Sequence, residues 1–389
     1  MISNKFGATQ APHAAATELG RLPELDALRG LAALCVVLGH LVTFNSLLSY
    51  FRGVVEVWAD GRASVCLFFV LSGFVLALSL ERSALKSQDV SAFTIKRFFR
   101  IYPLYYFSLL LSGLVFGCTM DRLPTLPDWL TTVLPHGFLD VRQWIGHLTL
   151  VSPTINTTWL NPPIWSLAVE MRISLLFPVL VLIFRRCSRP RAEWLTMIAI
   201  TVAGLVGNLV AGSFLFLPHF ALGILLAKHR KTWVPAVESW AWWKKGMAFL
   251  LAYLLQSAVG LAATMHIPIT LAWLLSGLGS GGLVLLTLGS PWWRRFLNKP
   301  TFQFLGASSY GVYLLHTPIA VLFFIGISPQ NRWLSSILFM LGTFVVTIGV
   351  AGLAYRWIEL PFIQWGRKVA KRVSIRLTTP APAADAEPV

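Results

Sequence analysis

Arg29 and His40 stand eleven residues apart in the stretch LDALRGLAALCVVLGH, with only small and apolar residues between them. At about 100° per residue, eleven steps of α-helix close three turns with a small remainder, so both side chains share one face. They lie about 16 Å apart along the axis. An imidazole in such a place can take a proton from a hydroxyl. A guanidinium at the end of the same face can bind an anionic group or snorkel to lipid headgroups. Charge inside hydrocarbon is costly, and residues that carry it usually mark a functional path.

Other polar residues interrupt apolar runs further along: Ser72 in LFFVLSGFVLA, Glu170 in NPPIWSLAVEMRISLLFP and His316 in SSYGVYLLHTPIA. Arg97 and Arg100 precede another run in IKRFFRIYP. Each has a structural alternative, as an interhelical hydrogen bond, a buried ion pair or a topology-setting charge. Arg172 follows Glu170 by two residues and cannot face it on a helix, so it lines a pocket that reads an anionic group or pairs elsewhere. Trp159 and Trp165 could stack on a sugar or belong to an interfacial aromatic belt. Glu359 lies three residues after Arg356, a spacing that suits a structural ion pair. The four cysteines have no metal-ligand spacing and read as small packing residues, so no metal site is expected.

The elements that carry these residues are membrane spans. Of 389 residues, 56% are hydrophobic and 12% charged, against about a quarter charged in a soluble domain. The mean hydropathy is +0.68. Apolar runs separated by short basic or Pro/Gly segments predict an all-α integral membrane protein. Ten spans are expected near 27–48, 63–80, 99–117, 163–184, 194–211, 213–227, 247–264, 268–289, 303–325 and 334–356. Residues 1–20 read as a disordered cytoplasmic leader without a signal-peptide core, 21–373 as one membrane domain, and 374–389 as a disordered cytoplasmic tail.

Twenty-five Lys and Arg fall in alternate loops and termini and five in the others, which places both termini in the cytoplasm. The net charge of +16 therefore reports topology, and no nucleic-acid partner is expected. With that direction, His40, Ser72, Glu170 and His316 come to one depth, roughly 10–14 Å inside the outer boundary. Arg29, Arg97 and Arg100 form a second, cytoplasmic layer.

Six stretches stand in the order of the bacterial membrane acyltransferase-3 family: LDALRGLAALCVVLGH, FFVLSGF, KRFFRIYP, WSLAVE, YGVYLLH and YRWIELP. The chain resembles that family from Arg21 to Pro361. The resemblance implies a ten-span core in the bacterial inner membrane and an O-acyltransferase activity. It also implies acyl-CoA, with acetyl as the acyl group, as donor substrate, no bound cofactor, and a cell-surface or secreted glycan or glycolipid as acceptor. Carried over by position, Arg29 and His40 are the essential pair. Glu170, Ser72, Arg97 and Arg100 support them. Met171 and Arg172 depart from the aromatic and apolar residues usual after the acidic residue, which bears on acceptor preference.

The chemistry expected is O-acyl transfer. Arg29, Arg97 and Arg100 bind the acyl-CoA phosphates, and His40 acts as general base. Glu170 orients His40 or binds sugar hydroxyls, while Ser72 donates to the oxyanion and His316 assists. Direct transfer and an acyl-histidine intermediate are both open. The rival reading is a transporter or flippase of lipid-linked saccharide, which would also line a path with buried charge.

Overall fold

Pro23 opens the first long helix, where a missing backbone N–H has no helical partner to lose. The structure, a computed structural model, describes residues 22–44, 46–118, 141–152, 160–327 and 332–378. Its long helices are α1 (Pro23–Leu41), α2 (Gly61–Leu80), α3 (Ser87–Cys118), α4 (Val141–Thr149), α5 (Ile164–Arg186) and α6 (Pro190–Gly207). They continue with α7 (Leu217–Glu238), α8 (Trp242–Gln256), α9 (Ile269–Leu288), α10 (Pro300–Ile327), α11 (Trp333–Ala354) and α12 (Leu360–Thr378). Among the described residues there are no strands. The expected leader, most of the expected tail and Trp159 lie outside the described residues.

Among the described residues, seven helical stretches are long and apolar enough to cross a membrane. α1 carries Glu24, Asp26 and Arg29 in its first seven residues, which lowers its apolar character without shortening it. α8 has only 15 residues but is prolonged by a short helix at Ala258–Leu261. The expected break near 211–214 is a 3₁₀ turn, Gly212–Phe216, between α6 and α7. α3 starts well before the expected residue 99, so that Arg97 and Arg100 sit within a 32-residue helix rather than ahead of it.

Leu334, Leu338, Leu341 and Val345 all point outward along α11, from 51 to 71% exposed. Steps of three and four keep them on one stripe, and lipid is the solvent that such a stripe suits. The chain is a multi-pass, all-helical membrane protein.

α1 packs chiefly against α10 and α2. The α1–α10 crossing depends on two glycines. A Cβ added at Gly30 would meet the backbone of Leu305 and Gly306 at 2.7 Å, and one at Gly306 would meet the Asp26 carbonyl at 2.5 Å. Backbone cannot yield there as a flexible side chain could. Gly30→Val is therefore expected to collapse the yield of monodisperse protein in detergent. Gly113→Ala, on α3 where an added Cβ meets nothing within 4 Å, should leave it unchanged.

Candidate active site

The α1–α10 crossing brings together two histidines 276 residues apart: His40 Nδ1 lies 2.7 Å from His316 Nε2. Their ring planes differ by 14°, with centroids 5.0 Å apart. His316 is fully buried, and its Nδ1 faces the Tyr313 carbonyl at 2.8 Å. A carbonyl only accepts, so the network assigns the proton of His316 to Nδ1 and the lone pair to Nε2. His40 must then donate from Nδ1, which puts its own lone pair on Nε2. One helical turn of partners thus sets the tautomer of both rings.

Proline shapes the same turn of α10. Pro318 has no N–H for the carbonyl four residues before it, that of Leu314. The buried Asn161 side chain donates to that carbonyl instead, at 2.8 Å. The NPP turn ahead of α5 is thereby tied to the turn of α10 that holds His316.

The second cluster centres on Glu170. Ser72 Oγ donates to its Oε1 at 3.0 Å, and Arg97 Nη2 donates to the same oxygen at 2.6 Å. Arg97 also donates to Ser174 Oγ at 3.0 Å, and Ser174 in turn donates to the Glu170 carbonyl at 2.6 Å. Three helices, α2, α3 and α5, are joined through one carboxylate. Next to Ser72, α2 also lies close on α7, where a Cβ at Gly73 would sit 2.3 Å from the Phe220 carbonyl oxygen.

The four residues expected at one depth therefore pair off as His40 with His316 and Ser72 with Glu170. From the sequence, Glu170 was expected to orient His40 or to bind sugar hydroxyls. Among the described residues its partners are Ser72 and Arg97, and His316 takes the place beside His40. Arg97, expected in the cytoplasmic layer, has a side chain long enough to bridge the two layers.

Arg29 bonds Asp26 one turn earlier at 3.3 Å and lies within electrostatic reach of Arg97, Arg100 and Glu170. Arg100 makes no hydrogen bond or ion pair among the described residues. Asp26 stands beside Arg29, Glu170 beside Arg97, and Glu359 within electrostatic reach of Arg100, so three guanidinium groups and three carboxylates meet in this part of the fold.

Trp165 is half-buried among Phe69, Phe216 and Trp273, with ring centroids 5.7 to 6.3 Å away. Arg172 donates to Ser213 Oγ at 2.6 Å and to the Ser152 carbonyl, fastening the 3₁₀ turn and the segment before α5. The expected Arg356–Glu359 ion pair does not form. A π-helical turn at Tyr355–Glu359 widens the helix, leaving Arg356 exposed and Glu359 1% exposed. Neither Glu359 oxygen has a hydrogen-bond partner among the described residues. Spacing alone could not reveal the extra residue in that turn.

Sequence reasoning passed over Ser166, Ser174 and Tyr313. Ser166 bonds Tyr313 at 2.7 Å and ties α5 to α10 one turn from Glu170 and from His316. A signal was present, since Ser166, Glu170 and Ser174 recur every four residues on one face of α5.

Residues 22–356 match the model of a family described as an acyltransferase domain. The chain is similar to the acyltransferase MdmB of Streptomyces mycarofaciens, 32% identical over 179 residues, or 45% of this chain and 43% of that protein. It is 34% identical over 159 residues to protein 2 in the picA locus of Rhizobium radiobacter, covering 39% of this chain and 78% of that protein. To the peptidoglycan O-acetyltransferase OatA of Listeria monocytogenes it is 25% identical over 370 residues, 87% of this chain. The chain spans 43% of the length of MdmB and 55% of that of OatA. No solved structure matches it. The family model runs through α1, the two clusters and the α10 crossing without a break, and the chain belongs to the acyltransferase-3 family.

Proposed function

We propose that the protein moves an acyl group, acetyl in the first instance, from cytoplasmic acyl-CoA to a hydroxyl of a cell-surface or secreted glycan or glycolipid. In this reading it lies in the bacterial inner membrane with ten spans and both termini cytoplasmic. The observation that carries it is the His40–His316 hydrogen bond, which gives His40 the tautomer of a general base.

Arg29 and Arg100 bind the phosphates of the donor by charge-assisted hydrogen bonds. Arg97, already held by Glu170, contributes charge and rigidity more than a contact. The thioester reaches the neighbourhood of His40 along the face of α1 that Arg29 begins. The acceptor oxygen attacks the thioester carbon while its proton passes to His40 Nε2. As the tetrahedral intermediate collapses, the carbon–sulfur bond breaks and the same proton goes to the CoA sulfur. His40 Nδ1–H stays bonded to neutral His316 throughout, which disperses the positive charge formed on the ring. Ser72 would serve the oxyanion only by releasing Glu170, so its first role is to hold that carboxylate. Trp165 and Arg172 border the acceptor side.

Transfer of label from radiolabelled acetyl-CoA tests the reading, in membranes holding wild type, Arg29→Ala or His40→Ala at equal assembled levels. Label should enter a glycan fraction with wild type alone. If acetyl-CoA neither binds nor donates, the transporter reading takes its place.

A further inference from the structure

Asn161 is fully buried in the NPP turn ahead of α5, although a primary amide is costly to take out of water. Its oxygen has no hydrogen-bond partner among the described residues. The side-chain bond that offsets this burial is the donation from Nδ2 to the Leu314 carbonyl at 2.8 Å. Leu160, the residue before it, holds a left-handed backbone with φ at 66°. That conformation strains a branched side chain and persists only where its surroundings enforce it. A leucine at 161 would fill nearly the same space and leave no oxygen unpaired. What it could not do is donate.

The carbonyl that receives this bond belongs to the turn that carries His316. Pro318 leaves it without the N–H that would reach back four residues. In the same turn His316 Nδ1 faces the carbonyls of Val312 at 3.2 Å and Tyr313 at 2.8 Å, while Nε2 faces His40 Nδ1 at 2.7 Å. The Tyr313 hydroxyl bonds Ser166 at 2.7 Å and the Pro163 carbonyl at 3.1 Å. Residues 313 and 314 are thus both fastened to the start of α5. The carbonyls that fix the tautomer of His316 sit in a turn held from another helix.

We propose that Asn161 is a positioning residue for acyl transfer, its amide N–H standing in for the N–H that Pro318 lacks and keeping the turn closed around His316. It touches no reacting atom and acts through His316 and His40. Without it the buried Leu314 carbonyl draws the turn toward another donor, and the Val312 and Tyr313 carbonyls move with it. The kinetic consequence rests on the acyl-transfer reading, whereas the tautomer of His316 does not.

Two readouts on the full chain in liposomes test this. One is steady-state transfer from labelled acetyl-CoA to the glycan fraction that wild type labels. The other is solid-state 15N spectra of histidine-labelled protein, with His316 assigned by its absence from His316→Gln. Wild type should show His316 protonated on Nδ1 alone. Asn161→Leu should show mixed tautomers at His316 and a kcat about tenfold to a hundredfold lower, with KM for acetyl-CoA unchanged. Adding Pro318→Ala returns a backbone N–H to the Leu314 carbonyl, so the double variant should recover the single tautomer and most of kcat. A packing defect at residue 161 would not be repaired from residue 318. A wild-type spectrum and kcat in Asn161→Leu, or a double variant without that recovery, overturns the proposal. If wild type holds the tautomer but transfers no acetyl, the acyl-transfer reading fails instead, and the spectra alone decide the role of Asn161.

Discussion

His40→Ala should lower acyl transfer by about 10²–10⁴-fold while the protein stays folded, the range expected for loss of a positioned general base. The side chain is only partly buried and its main described partner is one nitrogen of His316, so removing it opens little of the core. His316 acts through His40, and its substitutions separate chemistry from packing. His316→Gln keeps an amide oxygen that can accept from His40 Nδ1–H, whereas His316→Leu keeps bulk and loses the acceptor. Transfer should therefore fall further in His316→Leu than in His316→Gln, with the drop in kcat rather than in KM for acyl-CoA. Kinetics on reconstituted protein with labelled acetyl-CoA measure this order. Equal activity in the two variants would show that tautomer control is not what His316 supplies.

The largest effect on stability is expected at the Glu170–Arg97 pair. The two side chains are 23 and 10% exposed, and their 2.6 Å contact joins α3 to α5. Glu170→Gln leaves the Arg97 guanidinium without its counter-charge in a buried setting, a loss on the order of 3–5 kcal/mol. Arg97→Met leaves the carboxylate with Ser72 and a more distant Arg29, and should cost about as much. The double substitution, having no buried charge left to strand, should be more stable than the sum of the single losses predicts. Unfolding of all four proteins in the same bicelles gives the coupling. Additive losses would mean that the contact is incidental to stability. Both singles should also lose transfer, because the carboxylate holds Ser72 and Arg97 in place.

These expectations converge on one structural cause. α10 supplies His316, the Tyr313 carbonyl and the Pro318 break, and it meets α1 only because Gly30 and Gly306 let the backbones touch. α5 supplies Glu170 with a serine one turn to either side. Activity and assembly should thus fail together at the glycines and separately at the histidines.

Much of this was legible in the residues. Apolar runs dictate helices, because a backbone in lipid must satisfy its own hydrogen bonds. A period of 3.6 put Arg29 with His40 on one face, and the same period, unused for α5, sets Ser166 and Ser174 beside Glu170. The six stretches pointed to the family that the match over 22–356 shows. Depth counting also brought His40, Ser72, Glu170 and His316 together, since rise per residue holds in any helix. What depth could not choose was the partner. His40 faces His316 across 276 residues and Glu170 takes Arg97 across 73, choices made by where helices cross and how far a side chain reaches. The sequence by itself determined relations within each helix, because covalent geometry sets them. Only the tertiary structure decided relations between helices, because those follow from where backbones can cross, as at Gly30 and Gly306, and from how far side chains reach.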